Sequence, residues 1–532
     1  MATPYLRARL HRFLLTCALS SLVIAGSGGV AAQHTIRTPL PQDLSLMDRT
    51  VHAADVGLPE QVETSADPAG PAVETPPAEA QASLLYPSIA TGASQLHTRG
   101  ITGTGVAVAI IDSGMPAINH SWTQLTTNTL AYSGGGRSLV YKDLVTAVPI
   151  TNSSDPNGHG THVLATIADG RTITGGNVLG VSPGVDLVVV RALDAQGQAP
   201  YSRVIAAIEW VIANKNTYNI RVLNLSLQAP VHGPYWHDPL AQATMAAWQA
   251  GITVVVAAGN YGPDPATITV PGNVPYVITV GGIKPGVYTA NGVDQLAVYS
   301  SAGPTESKFV KPDVVIAGSR VLAPMPAGAT LEGHAGLVKE KTKLKFGPIK
   351  SRDDLNYYAL SGTSMAAAEV SGLVALLIED EPTLTNNQIK YRLANTAEVA
   401  LDSGGNSAYS IWQQGAGRVR PVAAVDGTST AAANAGMNIA LDRDHLNGTH
   451  YLGNTEYDAQ TSSFYFTGQP VGVGSYTTWA GSYTTWAGSY TTWAGSYTIW
   501  AGSTSVWSGS YPSWTGNLVD EGLTTYMPMT IR

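Results

Sequence analysis

Short apolar runs alternate with stretches of helical spacing through the middle of the chain. The runs are residues 105–111, 185–190, 221–227, 252–258 and 276–280. Each is apolar at most positions, the pattern of a strand buried on both faces, as in a parallel sheet. Between them, 201–214 and 240–250 carry apolar residues at helical intervals. Thr385-Asn386-Asn387-Gln388 is a capping box ahead of Ile389 and Leu393, so a helix starts there. Ala366 to Ile378 is a long apolar stretch that predicts a buried helix. Strand–helix–strand alternation over residues 85–425 predicts an α/β fold class, with a mostly parallel central sheet and helices on both faces.

The flanks follow different patterns. Arg7, Arg9 and Arg12 precede an apolar run from Phe13 to Gly26, and Val30-Ala31-Ala32 fits a small-x-small cleavage rule. Residues 1–32 therefore read as an export signal, and the expected location is secreted: extracellular, periplasmic or at the cell surface. Residues 33–84 are rich in Pro, Ala and Glu with little apolar periodicity, and read as a mobile pro-region or linker. A Lys-rich stretch, 326–352, interrupts the α/β pattern and reads as a solvated surface insertion. Residues 426–474 form a C-terminal extension. Over 475–516 Trp479, Trp486, Trp493, Trp500, Trp507 and Trp514 recur every seven residues, with a glycine in each unit, and 517–532 end the chain. Glycine with Tyr, Thr and Trp disfavours a helical heptad and favours short strands and turns, a β or low-complexity tail. Aligned Trp rings would suit docking to glycan, cell wall or another protein, and a self-packing or disordered spacer fits the same pattern.

Composition narrows the function. Among 532 residues only 12 % are charged, and the net charge is −8, with 37 acids against 29 Lys and Arg. The chain lacks the basic footprint of a nucleic-acid binder. No apolar stretch of spanning length follows the N-terminus, so no membrane span is expected after signal cleavage. The single cysteine, Cys17, lies inside the signal, so the exported chain must be stable without disulfides.

Three short motifs carry chemistry. Asp112 ends the apolar run 105–111, where open α/β sheets place ligands. His159 lies in Asn157-Gly158-His159-Gly160-Thr161-His162, where flanking glycines admit close backbone approach. Two histidines three apart raise a metal reading, but no Glu-x-x-His partner accompanies them, and His162 reads as a structural neighbour. Ser364 precedes the apolar helix, where unpaired N–H groups favour a developing anion, although taken alone a capping serine is the better reading of it. The order Asp, His, Ser with separations of 47 and 205 residues is hard to reach by chance.

These motifs in this order resemble the subtilisin-like serine peptidases. The resemblance extends to Val222–Leu227, similar to the family's substrate-binding strand, to Val254–Asn260, similar to its strand carrying an oxyanion asparagine, and to Lys311–Val314 before the serine segment. It implies a secreted serine endopeptidase acting on polypeptides, with Asp112, His159 and Ser364 catalytic and Asn260 holding the oxyanion. It implies Ser226, Leu227, Gln228, Ala257, Ala258 and Gly259 as substrate-binding. A structural calcium is a further implication. The sequence assigns no metal ligands; Asp155 is the nearest candidate, and a turn role suits it better. Gln228 stands where the family commonly has glycine, Ala368 where it has proline, and Glu369 is a charge at a buried helix start that needs a partner or a raised pKa. An uncharged residue before the cut, and self-cleavage near Ser83–Tyr86, are expected. The alternative is a catalytically silent, adhesive surface protein working through its Trp repeat.

Overall fold

The computed structural model describes residues 49–53, 86–118, 121–172, 176–286, 289, 293–333, 338–339, 355–402, 405–444, 449–458, 463–466 and 517–520. All fall within one compact unit, Asp43–Arg532. The export signal, residues 334–337 and 340–352 of the Lys-rich stretch, and the Trp repeat lie outside the described residues.

Strands that position the site are, in chain order, β1 Thr50–Ala53, β2 Ala107–Asp112, β3 Thr123–Thr126, β4 Thr129–Gly134, β5 Arg137–Asp143, β6 Asp186–Arg191, β7 Gln198–Pro200, β8 Ile220–Leu225, β9 Leu227–Gln228, β10 Thr253–Ala257, β11 Ile278–Lys284, β12 Gln295–Leu296 and β13 Val314–Ala317. The principal helices are α1 His159–Ala168, α2 Tyr201–Tyr218, α3 Pro239–Gln249, α4 Thr363–Asp380 and α5 Asn386–Asn395. The apolar runs of the sequence became β2, β6, β8 with β9, β10 and β11, and the helical stretches became α2 to α5.

The central sheet has ten strands in the order β12-β11-β10-β8-β2-β6-β5-β4-β3, with β13 also on β11. Pairing is parallel from β5 through β6, β2, β8, β10 and β11 to β13, and antiparallel at β12, β4 and β3. All six residues of β2 are buried, which its unbroken apolar run requires of a two-sided strand. After β2 the chain builds β6 on one side and then crosses to β8 on the other. Such a reversal opens a crevice beyond the carboxyl ends of the strands. Asp112 is the last residue of β2, at that reversal.

Helix ends follow the local sequence. Asp238 caps α3 by accepting from the N–H groups of Leu240 and Ala241, at 2.8 and 3.0 Å. Thr385 and Gln388 form the expected reciprocal box at α5. Helix α4 is buried from Thr363 to Ile378 and packs on β2, β8, β10, β11, β13 and α1. Gly372 permits this: a Cβ there would lie 2.7 Å from Val181 Cγ1.

Two buried charge arrangements lie in or beside α4. Asp313, just before β13, lies 2.7 Å from the Lys311 ammonium and 3.0 Å from that of Lys390. Burial lowers the pKa of Lys311 well below 10.5, Asp313 opposes this, and Lys390 adds to it. Lys390 also donates to the carbonyls of Pro275 and Val277, at 2.6 and 3.0 Å. These bonds tie α5 to the lead-in of β11. Glu369 differs. It is fully buried in α4, and neither carboxyl oxygen has a hydrogen-bond partner. Burial pushes its pKa well above 4.5, with Arg418 a smaller opposing influence.

A four-residue strand inside 33–84 is a departure from the mobile segment expected there. β1 is the middle strand of a separate three-stranded sheet, β7-β1-β9, antiparallel to both neighbours. Long-range pairing, not local periodicity, makes it a strand. Residues of the extension also pack on the body: Phe466 is buried and stacks on Trp412 at 5.4 Å between ring centroids. Strand Thr449–Leu452 pairs antiparallel with Asn517–Asp520.

The pKa of Glu369 fixes the sign of a stability change. The unfolded state ionises this group near 4.5 while the folded state keeps the proton, so its contribution falls as pH rises above that value. Glu369→Gln should be nearly neutral at pH 4. It should then gain stability relative to wild type by up to ~1.4 kcal/mol per pH unit until the folded group ionises. Denaturant unfolding at a series of pH values checks this, and parallel curves would show that Glu369 has a partner.

Candidate active site

Asp112 and His159 meet at the crevice. The His159 ring Nδ1 lies 2.8 Å from Asp112 Oδ1 and 3.0 Å from Oδ2, and both residues are fully buried. A carboxylate only accepts, so Nδ1 carries the hydrogen, and in the neutral ring Nε2 keeps its lone pair. The Ser113 N–H also donates to Asp112 Oδ1, at 2.7 Å.

The loop before α1 is fixed by Asp155. Its two oxygens accept from Ser113 Oγ, Gly158 N, Thr161 N and Thr161 Oγ1, all at 2.6–2.9 Å. Four donors occupy the usual capacity of a carboxylate, so Asp155 serves the turn. Gly160 abuts β2's end so closely that a Cβ would lie 2.4 Å from the Gly114 carbonyl oxygen. His162 Nε2 faces the carbonyls of Val321 and Tyr358, each at 3.1 Å, and therefore donates. Burial drives its pKa down to about 3, so it stays neutral and structural. Among the described residues, no group of three or more His, Cys, Asp or Glu side chains gathers to hold a metal ion.

Ser364 is the second residue of α4, and α4 packs against α1. It is coupled to Ser226, the residue between β8 and β9, in both directions. Ser364 Oγ donates to the Ser226 carbonyl at 3.3 Å, and Ser226 Oγ donates to the Ser364 carbonyl at 2.8 Å. Asn224 supports this pair: its amide donates to Ser226 Oγ, and its Oδ1 accepts from Ser371 Oγ, each at 2.9 Å.

Asn260 follows β10 and reaches the same helix end. Its Oδ1 accepts from Thr363 N and Thr363 Oγ1, both at 2.9 Å. The backbone N–H can only donate, which fixes which end of the amide is oxygen. The Asn260 N–H donates to Gln228 Oε1 at 3.0 Å. Gln228, an unusual residue by the resemblance, thus braces the asparagine from β9. Gly259 has φ +113°, and a Cβ there would strike Thr269. Ala257 pairs with Val280, and Ala258 exchanges backbone bonds with Val280 and Thr269. Leu227 and Gln228 form β9, whose partner is β1.

Asp112 and His159 therefore lie in direct contact, and Ser226, Asn260 and Gln228 gather around the start of α4. Thr363, Asn224 and Ser371 were missed by sequence reasoning. They are ordinary polar residues whose partners lie 103 and 147 positions away.

The sequence profile of the subtilase family matches residues 103–417, more than half of the chain. The chain belongs to that family. Serine protease AprX of Bacillus subtilis is 31 % identical over 311 residues, covering 58 % of this chain and 64 % of that protein. Subtilisin E of the same organism is 34 % identical over 320 residues, covering 60 % and 66 %. The chain thus spans slightly under two thirds of these two relatives. A subtilisin of Bacillus pumilus is 35 % identical over 308 residues, covering 57 % of this chain and 88 % of the relative. Among solved structures, fervidolysin from Fervidobacterium pennivorans matches with 25 % identity and a TM-score of 0.45, covering 64 % of this chain and 45 % of that one.

The Thr363 hydroxyl accepts from Gly259 N at 3.2 Å while donating to Asn260. Thr363→Val keeps the shape and leaves a buried N–H without its acceptor. Denaturant unfolding should show a loss of ~1–3 kcal/mol. An unchanged midpoint would mean that this link does not hold the loop.

Proposed function

We propose that the chain is an exported serine endopeptidase that cuts polypeptides through Asp112, His159 and Ser364. The observation that carries the reading is the buried Asp112–His159 contact at 2.8 Å, beside a helix that bears Ser364 at its N-terminus. Family membership supports the same chemistry.

A serine hydroxyl is a weak nucleophile until a base takes its proton. His159 is that base, through the lone pair on Nε2. Ser364 Oγ attacks the peptide carbonyl, and His159 then returns the proton to the leaving amine. Asp112 holds the tautomer and stabilises the imidazolium. The carbonyl oxygen becomes an oxyanion at the start of α4, where the helix dipole and the Ser364 N–H favour negative charge. The Asn260 side-chain amide is the second donor, with its orientation set by Thr363. Water, activated by His159, then hydrolyses the acyl ester. Each step is carried by protein groups.

Export rests on the N-terminal pattern alone. Among the described residues, no helix is long and apolar enough to cross a membrane. Docking of glycan, cell wall or protein by the Trp repeat is proposed from the repeat pattern, and a structural calcium from the family resemblance alone, with no ligands assigned.

Purified chain should hydrolyse an unfolded protein such as casein, and a serine-directed phosphonate should add its mass to the peptide containing Ser364. Ser364→Ala should abolish both. Asn260→Ala should lower kcat by ~10²–10³, the usual loss for one oxyanion donor. A folded wild type without turnover or adduct would refute the peptidase reading.

A further inference from the structure

The chain just before His159 is also held from outside the central sheet. Strands β14 Val321–Pro326, β15 Val338–Lys339 and β16 Leu355–Leu360 form a separate antiparallel sheet in the order β14-β16-β15. After β14 the chain makes a 3-10 turn, Thr330–Gly333. That turn reaches the loop that carries the histidine. Thr330 N donates to the Pro156 carbonyl at 2.9 Å, and Leu331 N donates to the Asn157 carbonyl at 3.1 Å. Asn157 Oδ1 in turn accepts from His159 N at 3.2 Å. Packing is equally close. Gly158 has φ +103°, and a Cβ there would lie 2.9 Å from Ala329 Cβ and 3.2 Å from Met325 Sδ.

One carboxylate fixes the turn to the sheet. Glu332 Oε1 accepts from Asn356 Nδ2 at 2.8 Å and from the Tyr358 hydroxyl, both on β16. Its Oε2 accepts from Gly328 N at 2.8 Å. A single side chain thus grips the entry to the turn and the neighbouring strand together. Leu331, beside it, is buried and joins the main hydrophobic core.

β16 carries this anchorage to the serine. The Tyr358 carbonyl accepts from His162 Nε2 of α1 at 3.1 Å, while its hydroxyl meets Glu332. Two residues on, β16 ends at Leu360, and the chain enters Ser361, Gly362, Thr363 and Ser364. Ser361 Oγ accepts from Arg320 N, and Gly362 N donates to the Gly318 carbonyl, each at 2.9 Å. One end of the strand is therefore bound to the histidine loop, and the other runs into the helix that bears Ser364.

We infer that Glu332 is a positioning residue for catalysis: through the loop 328–333 it holds residues 156–158, and with them His159, in a fixed setting relative to Ser364. This rests on the peptidase reading. Asp155 fixes the same loop on the Asp112 side, and Glu332 fixes it on the Ser364 side. Proton transfer requires His159 Nε2 within hydrogen-bond reach of Ser364 Oγ. A displacement of about 1 Å costs up to ~10² in rate. Substrate strand β9 belongs to a different sheet, so binding should be left as it is.

Full-length wild type, Glu332→Ala, Glu332→Gln and Tyr358→Phe are compared on a peptide substrate, with active sites counted by phosphonate stoichiometry. Per counted site, Glu332→Ala should lower kcat by ~10–10² with KM within ~2-fold. Phosphonate labelling of Ser364 should slow by the same factor and still reach one adduct per chain. Glu332→Gln keeps an acceptor for Tyr358 and should recover most of the loss. Combining Glu332→Ala with Tyr358→Phe should lose no more than the worse single variant, because both break one link. A purely structural role would reduce the number of active sites and leave kcat per site unchanged. That result would overturn the proposal while leaving the peptidase reading intact. Tyr358→Phe carries the same test if Glu332→Ala does not fold. Hydrogen exchange on full-length Ser364→Ala gives a readout without turnover. The amides of Thr330, Leu331 and His159 should be protected, and adding Glu332→Ala should speed their exchange; unchanged protection would overturn the proposal. Absence of both hydrolysis and a Ser364 adduct in folded wild type would sink the peptidase reading and the positioning role with it.

Discussion

The reciprocal contact between Ser226 and Ser364 is the constraint on which the rest of the site depends. It fastens the N-terminus of the buried helix α4 to the end of strand β8 through two hydrogen bonds in opposite senses. Every neighbouring element takes its position from this junction. Asn224 and Ser371 stiffen it from within the sheet and the helix. Thr363, one residue before Ser364, orients Asn260. β9 leaves from Ser226 and offers its edge to an extended chain. A helix buried on all sides cannot slide without breaking core packing, so Ser364 is held by the whole domain.

The second half of the site is built by different means. His159 starts α1, and the loop before it is closed by Asp155 with four donors. Asp112 arrives at the end of a strand buried on both faces. Glycines let these pieces approach: Gly160 lies against Gly114 where no side chain fits. Precision on both sides comes from saturated polar groups inside an apolar shell. Glu369 is an exception, a carboxyl with no hydrogen-bond partner in the same helix as Ser364. Its cost is borne by stability at neutral pH, and nothing in the structure explains its retention.

Much of this was legible in the sequence because the strands of a two-sided parallel sheet are nearly continuous apolar runs. The capping box at Thr385 and the buried helix after Ser364 were legible for local reasons as well. The antiparallel edge, β3 to β5, escaped because it is partly exposed and lacks an unbroken apolar run, with Thr123, Gln124 and Thr126 facing solvent. β1 escaped because both its partners lie about 150 residues or more away in the chain and its own sequence is only four residues long. Gln228 is visible in the sequence only as a departure from the family's common glycine, and its role in bracing the Asn260 backbone needed the folded register. Local patterns identify elements and motifs, whereas braces across the sheet appear only once the topology is known.

The central claim is that Asp112 acts by fixing the His159 tautomer, with the hydrogen on Nδ1. Asp112→Asn tests this most directly, since it keeps the shape and replaces one acceptor with an amide donor. Steady-state hydrolysis of a peptide substrate should fall by ~10⁴ in kcat, with the unfolding midpoint little changed. A variant that folds and retains wild-type turnover would contradict the account.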